Sequence, residues 1–260
     1  MWILLTVALA APFHDADQVV FTDGANLRAT PATDGEVVAT LALGTDVDVL
    51  QTGEALTLWG RSEPWVKVKA GGHEGWLWSG LLSDKFAPIG DAGDGVVVGL
   101  RGLVKESEYS VRVSVEVGAR VGGKVLEPAR ADLTIPTEWS AEGVPFGIEL
   151  VGKAGLPVSD PVVRLHFSAD FCGGLMGNMV WARHEGRVVH LATLYEGSDV
   201  PMFARDGLVF PGEEGGKPGK VLRVQQIGEY GDNGTETYEL NETSEHQVVA
   251  GKLVPPIAQR

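Results

Sequence analysis

The chain has 260 residues, 44% of them hydrophobic, and carries a formal net charge of −14. That length accommodates one or two domains, each with its own core. Such an acidic balance repels phosphate backbones and anionic lipid surfaces, which argues against a nucleic-acid partner. A single cysteine, Cys172, rules out an internal disulfide and a cysteine-rich zinc site.

At the N-terminus, Trp2 to Phe13 is a short apolar run followed by His14-Asp15, and Ala8-Leu9-Ala10 offers a small-x-small cleavage pattern. Residues 1–11 are therefore expected to be a signal peptide, although no Lys or Arg precedes Arg28. The run is too short to span a bilayer, it lacks a cysteine for lipid attachment, and no later segment is long and apolar enough to cross. The expected location is periplasmic or secreted, with no stable membrane anchor.

From Val19 to Phe86 the strands are short and the turns clear. Val37 to Leu41 is a β-branched run, and Thr45 to Leu50 alternates, with Val47 and Val49 on one face and Asp46 and Asp48 on the other. Trp65-Val66-Lys67-Val68-Lys69 alternates again, Gly71 to Gly75 is a turn, and Trp76-Leu77-Trp78 forms the returning strand of a hairpin. So many short strands in so few residues imply a small barrel.

Four segments here, in order, carry a resemblance. They are Asn26-Leu27-Arg28-Ala29-Thr30-Pro31, Leu43-Gly44-Thr45 to Leu50, Trp65-Val66-Lys67-Val68, and Gly75-Trp76-Leu77. Together they resemble the bacterial SH3 (SH3b) domain, which implies an SH3-like barrel over residues 19–86 and a cell-wall or cell-envelope ligand. The segment Gln51 to Pro64, with Trp59 inside it, is longer than the family's usual connection and reads as an insert.

Ala87 to Gly95 is rich in Pro, Gly and Asp and reads as a linker. Beyond it, residues 96–260 again look β-rich. Val96 to Leu100 is one strand, and Tyr109 to Val117 alternates Val111, Val113, Val115 and Val117 against Arg112, Ser114 and Glu116. Further strands are expected at 146–151, 162–167, 179–183, 187–194, 221–227, 237–240 and 247–254. Hairpin turns are expected at His184-Glu185-Gly186 and Gly231 to Gly234. The fold class is thus all-β: a small SH3-like barrel followed by a larger antiparallel domain, sandwich or propeller-like. Phe210-Pro211, Gly215-Gly216-Lys217-Pro218 and Gly228-Glu229-Tyr230 give this region a resemblance to uncharacterised exported bacterial proteins with an SH3-like domain, which lend no activity.

Catalytic chemistry has one candidate. Asp170-Phe171-Cys172-Gly173 resembles the Asp-Cys-Ser-Gly segment of NlpC/P60-type cell-wall peptidases, which implies a Cys172 thiolate with His246 as base. Phe171 splits the Asp-Cys pair, however, and Gly173, Gly174 and Gly177 make a poor helix start for lowering a thiol pKa. Cys172 therefore reads first as a buried structural residue, and no catalytic residue is assigned. His14, His73, His166, His184 and His190 lack metal-ligand spacing. Asp232-Asn233-Gly234 and Asp91 to Gly95 offer oxygens but no calcium-loop pattern, so no metal and no cofactor is expected.

Four of the seven tryptophans, Trp59, Trp65, Trp76 and Trp78, fall in the SH3-like zone. Large amphipathic rings suit grooves that hold peptides or glycans. Trp59, Trp76 and Trp78 are the candidate ligand-binding residues, whereas Trp65, amid alternating Val, reads as core. The sequence thus favours an exported, non-enzymatic binding protein whose partner is peptidoglycan or a cell-envelope protein. A cell-wall peptidase and a purely structural envelope protein stand as alternatives.

Overall fold

The computed structural model describes residues 18–89, 94–136, 146–152, 154–156, 159–167, 175–199 and 201–257. The candidate signal peptide and Cys172 lie outside them. The described residues are all-β, with one 3₁₀ turn at Ser79–Leu81.

The first sheet contains β1 (Ala25–Arg28), β2 (Val37–Leu41), β3 (Val47–Leu58), β4 (Arg61–Ala70) and β5 (His73–Trp78), in the order β2-β1-β5-β4-β3. Its end strands β2 and β3 are not hydrogen-bonded to one another, so the barrel is open. The alternating pattern of β4 and β5 sends Val66, Val68 and Leu77 into a core with Leu27, Leu41, Val47 and Leu82. Trp65, Lys67, Trp76 and Trp78 take the opposite face, in the cross-strand pairs Trp65–Trp78 and Lys67–Trp76.

The segment that reads as an insert is an extension of the β3–β4 hairpin. Leu58 pairs with Arg61, leaving Trp59 and Gly60 as a two-residue turn with φ of 51° and 79°. Two positive φ values match the twist of the flanking strands, but Trp is an unusual occupant of the left-handed region. The tip docks on the neighbouring sheet, where Leu103 N donates to Trp59 O at 3.2 Å, and a Cβ on Gly60 would lie 2.1 Å from Leu103 O. Gly60→Val is therefore expected to cost about 2–3 kcal/mol. Gly72→Val, at a similar φ but in open space, is expected to cost about 1 kcal/mol. Urea-unfolding midpoints of the pair check this.

The second sheet holds β6 (Lys85–Pro88), β7 (Gly95–Lys105), β8 (Ser110–Val121), β9 (Lys124–Val125) and β10 (Ala129–Pro136). Its path is β10-β8-β7-β6, with β9 paired to β8. The expected linker thus begins and ends inside a hairpin: Ala87 pairs with Val96 and Pro88 with Gly95. The run Val96-Val97-Val98 is apolar throughout because β7 is covered on both faces. Val96 and Val98 join Val111, Val113, Val115 and Val117 in the core toward the third sheet, while Val97 packs with Val19, Phe21 and Val125 toward the first. Phe21 reaches in because Gly99 and Gly118 leave room; a Cβ there would approach its ring to 2.4 and 3.1 Å.

The third sheet is an eight-stranded meander in sequence order. It comprises β11 (Phe146–Val151), β12 (Ser159–Phe167), β13 (Leu175–His184), β14 (Arg187–Asp199), β15 (Met202–Val209), β16 (Val221–Tyr230), β17 (Glu236–Val249) and β18 (Lys252–Val254). Val163, Leu165, Phe167, Met179 and Trp181 pack against the second sheet. The opposite face supplies Val162, Val180, Ala182 and Leu194, which pack with Leu208, Phe210, Val221 and Leu253 from the later half of the same sheet. The meander folds over on itself between β14 and β15, which share only three residue pairs, Gly197–Ala204, Ser198–Phe203 and Asp199–Met202. The result is a stack of layers rather than a propeller. The stretch 247–254, expected as one strand, is a hairpin turning at Ala250 and Gly251, whose φ values are 48° and 73°.

Candidate ligand-binding site

The three candidate tryptophans have different surroundings. Trp78 is only 2% exposed, and its indole N–H donates to Leu56 O at 2.9 Å and Glu63 O at 3.0 Å. A ring so enclosed and so satisfied is an internal support, not a ligand-facing surface. Trp59 is 63% exposed and meets the Trp78 ring edge-to-face at 5.4 Å, a favourable aromatic geometry. Trp76 is half-buried, its ring laid against Gly53, where a Cβ would come within 2.9 Å. Trp65 is core.

A cleft opens on another side of the first sheet, where it meets the second. Phe21, Leu43 and Pro128 supply apolar surface, and Asp23, Glu116 and Glu127 supply carboxylates, around a volume of about 560 Å³. Asp23 and Glu127 are exposed at its lips. Glu116 is instead bound to Arg101 Nε at 3.0 Å. The same Arg101 donates to Gly80 O and Phe21 O, both at 3.0 Å, and lies over the Phe21 ring at 4.7 Å. One buried guanidinium thus ties together both walls of the cleft. The lining residues come from four separate chain segments, so no local motif announces them.

The joint between the sheets is also held by Arg61, which is 6% exposed. It donates to Glu63 Oε1 at 2.7 Å, to Asp84 Oδ1 at 2.8 Å and to Leu100 O. Asp84 Oδ2 accepts from Leu100 N at 2.6 Å. Arg120 reaches Asp46 at 2.7 Å farther along.

The peptidase constellation gains no support from its histidine. His246 is buried on β17; its Nδ1 bonds Pro255 O at 2.7 Å and its Nε2 the Ser244 hydroxyl at 2.9 Å. With both ring nitrogens engaged by its own surroundings, it is placed as a structural group. In the 231–234 turn the Asn233 oxygen accepts from Thr235 N at 3.1 Å and Thr235 Oγ1 at 2.6 Å, a local use that explains Asn there without a cation.

Comparison with family models finds the bacterial SH3 domain at residues 23–83. No curated protein and no solved structure matches the chain. The ordered strand motifs, the all-β core and the family match agree, and residues 23–83 are a bacterial SH3 domain.

Proposed function

We propose that the chain is an exported binding protein of the cell envelope, whose SH3 domain holds a cationic cell-wall peptide or peptide-bearing glycan in the cleft shared with the second sheet. The observation that carries this reading is the cleft itself: an apolar floor of Phe21, Leu43 and Pro128 beneath the exposed carboxylates of Asp23 and Glu127. A peptide bearing free amines gains burial of its aliphatic stem and pairs its charge at the lips. The match to bacterial SH3 domains, a cell-wall-binding type, supports the ligand class. The apolar run before His14 supports export.

Co-sedimentation of the full chain with purified cell-wall sacculi tests the proposal. The double variant Asp23→Lys/Glu127→Lys is expected to lose at least tenfold in binding while keeping its unfolding midpoint. Wild-type protein that stays in the supernatant would sink the reading, as would undiminished sedimentation of the variant. Trp59 favours a second contact, since an exposed Trp held at positive φ is a backbone outlier of the kind that clusters at ligand contacts. Loss of sedimentation on Trp59→Ala alone would move the ligand to the hairpin tip.

A further inference from the structure

We infer that the crevice where the third sheet splits between β14 and β15 is a second binding site, for a small aliphatic amine. It is independent of the SH3 domain and of the ligand proposed there.

Parting of the two strands sets the geometry. β13 and β14 stay paired along ten positions and β15 and β16 along eight, but β14 and β15 separate after Gly197–Ala204. Strand backbone released in this way needs substitutes for its lost ladder. Arg164 provides one, donating from Nη2 to Leu208 O at 2.9 Å and to Glu213 Oε2 at 2.7 Å. The same Glu213 oxygen accepts from Phe210 N at 2.7 Å. The split is thus held open by dedicated side chains, leaving a solvent-open crevice of about 430 Å³.

The lining has an apolar end and a polar end. Val180, Leu194 and Leu208 form the former. At the polar end a relay crosses four strands: Glu149 Oε2 to His166 Nε2 at 3.0 Å, His166 Nδ1 to the Asn178 side-chain oxygen at 2.5 Å, and Asn178 Nδ2 to Glu196 Oε1 at 2.7 Å. Asn178 can donate to Glu196 only because its oxygen is turned to the imidazole, so the relay fixes where the Glu196 carboxylate points. Glu196 is half-buried and, among the described residues, has no salt-bridge partner, whereas Glu213 is paired with Arg164. Burial accordingly pushes the Glu196 carboxyl above the usual range. An ammonium group at that carboxylate, with its carbon stem over Val180, Leu194 and Leu208, meets both ends of the lining. The exposed Glu214 at the rim adds to the attraction.

Gly207 provides a clean block. It lines the crevice, its φ is not in the left-handed region, and a Cβ there would meet nothing within 4 Å. A larger side chain can therefore enter the cavity without displacing the fold.

The test is calorimetric titration of the full chain with cadaverine, and with the matching pentane diol, at physiological ionic strength. Saturable binding of one cadaverine per chain is expected, with the diol at least tenfold weaker. Glu196→Gln keeps an acceptor for Asn178 but removes the charge, and is expected to weaken cadaverine at least tenfold. Gly207→Leu is expected to abolish binding with the unliganded unfolding midpoint unchanged. Non-saturating heats, or equal affinity in wild type and Glu196→Gln, would show only diffuse attraction to an acidic surface and overturn the proposal. Equal affinity for the diol would overturn the assignment of an amine.

Discussion

Replacing Arg61 by Ala is expected to destabilise the chain by about 3–5 kcal/mol, a large fraction of a domain's total stability. The guanidinium is buried where the first two sheets meet, and three acceptors converge on it, Glu63, Asp84 and the Leu100 carbonyl, while Leu100 N closes the loop by donating to Asp84. Truncation leaves two partly buried carboxylates and a carbonyl without their donor. Arg61→Lys supplies a charge but cannot reach Glu63, Asp84 and Leu100 O at once, and is expected to recover less than half of the loss. Urea unfolding followed by tryptophan emission measures both. A loss below about 1 kcal/mol for Arg61→Ala would mean that the network is solvated and does not join the sheets.

The first and second sheets were legible wherever a strand has one wet face or none. Tyr109 to Val117 alternates because one face of β8 packs on the third sheet while Arg112, Ser114 and Glu116 look the other way. Turns with two positive φ values were legible through their residues, as at Glu185-Gly186 between β13 and β14. Two of the longer strands escaped notice for the converse reason. Met202 to Val209 carries Arg205, Asp206 and Gly207 at its middle, and this breaks any apolar period. In the structure Arg205 pairs with Glu236 two strands away at 2.7 Å and Asp206 with Arg223 on the neighbouring β16 at 2.6 Å. Ala129 to Pro136 lies at the edge of its sheet, where Pro136 is tolerated and small Ala129 and Ala131 give little hydrophobic signal.

Sites were less legible than strands. Tryptophan counting led to the SH3 zone, but it could not separate Trp59, which faces solvent, from Trp78, which the fold encloses directly against it. Both the cleft between the first two sheets and the split in the third sheet are made by residues distant in sequence. The crevice depends on where two strands stop pairing, a property of long-range packing with no local code. His166 looked like a lone imidazole in a strand; only the registers His166–Asn178 and Glu149–Arg164 place it in a relay. Nothing in the sequence singles out Arg61 or Arg101, although they secure the joint on which the cleft depends.

Acid is expected to weaken the fold through one histidine. His190 sits against Trp181 with ring centroids 4.7 Å apart, and its Nε2 lies 3.0 Å from the Thr193 hydroxyl. Burial lowers its pKa from 6.5 to about 4. Between those values the unfolded chain takes up a proton that the folded chain refuses, so stability falls as pH falls. Above pH 6.5 both states are neutral at this site and the term vanishes; below about pH 4 both are protonated and the loss is complete. Its full size is at most about 3 kcal/mol. The expected result is a decline in unfolding free energy between pH 6.5 and 4 that is reduced by about one bound proton in His190→Phe. The substituted ring preserves the contact with Trp181 and loses the hydrogen bonds to Thr193 and to the Ala192 backbone, so the variant removes the titration while keeping the ring packing. An unchanged slope in His190→Phe would assign the acid sensitivity to the carboxylate pairs instead. Glu236 is not among them, because its hydrogen bond with Arg205 holds it down to about 2 and its contribution is lost only below about pH 4.5.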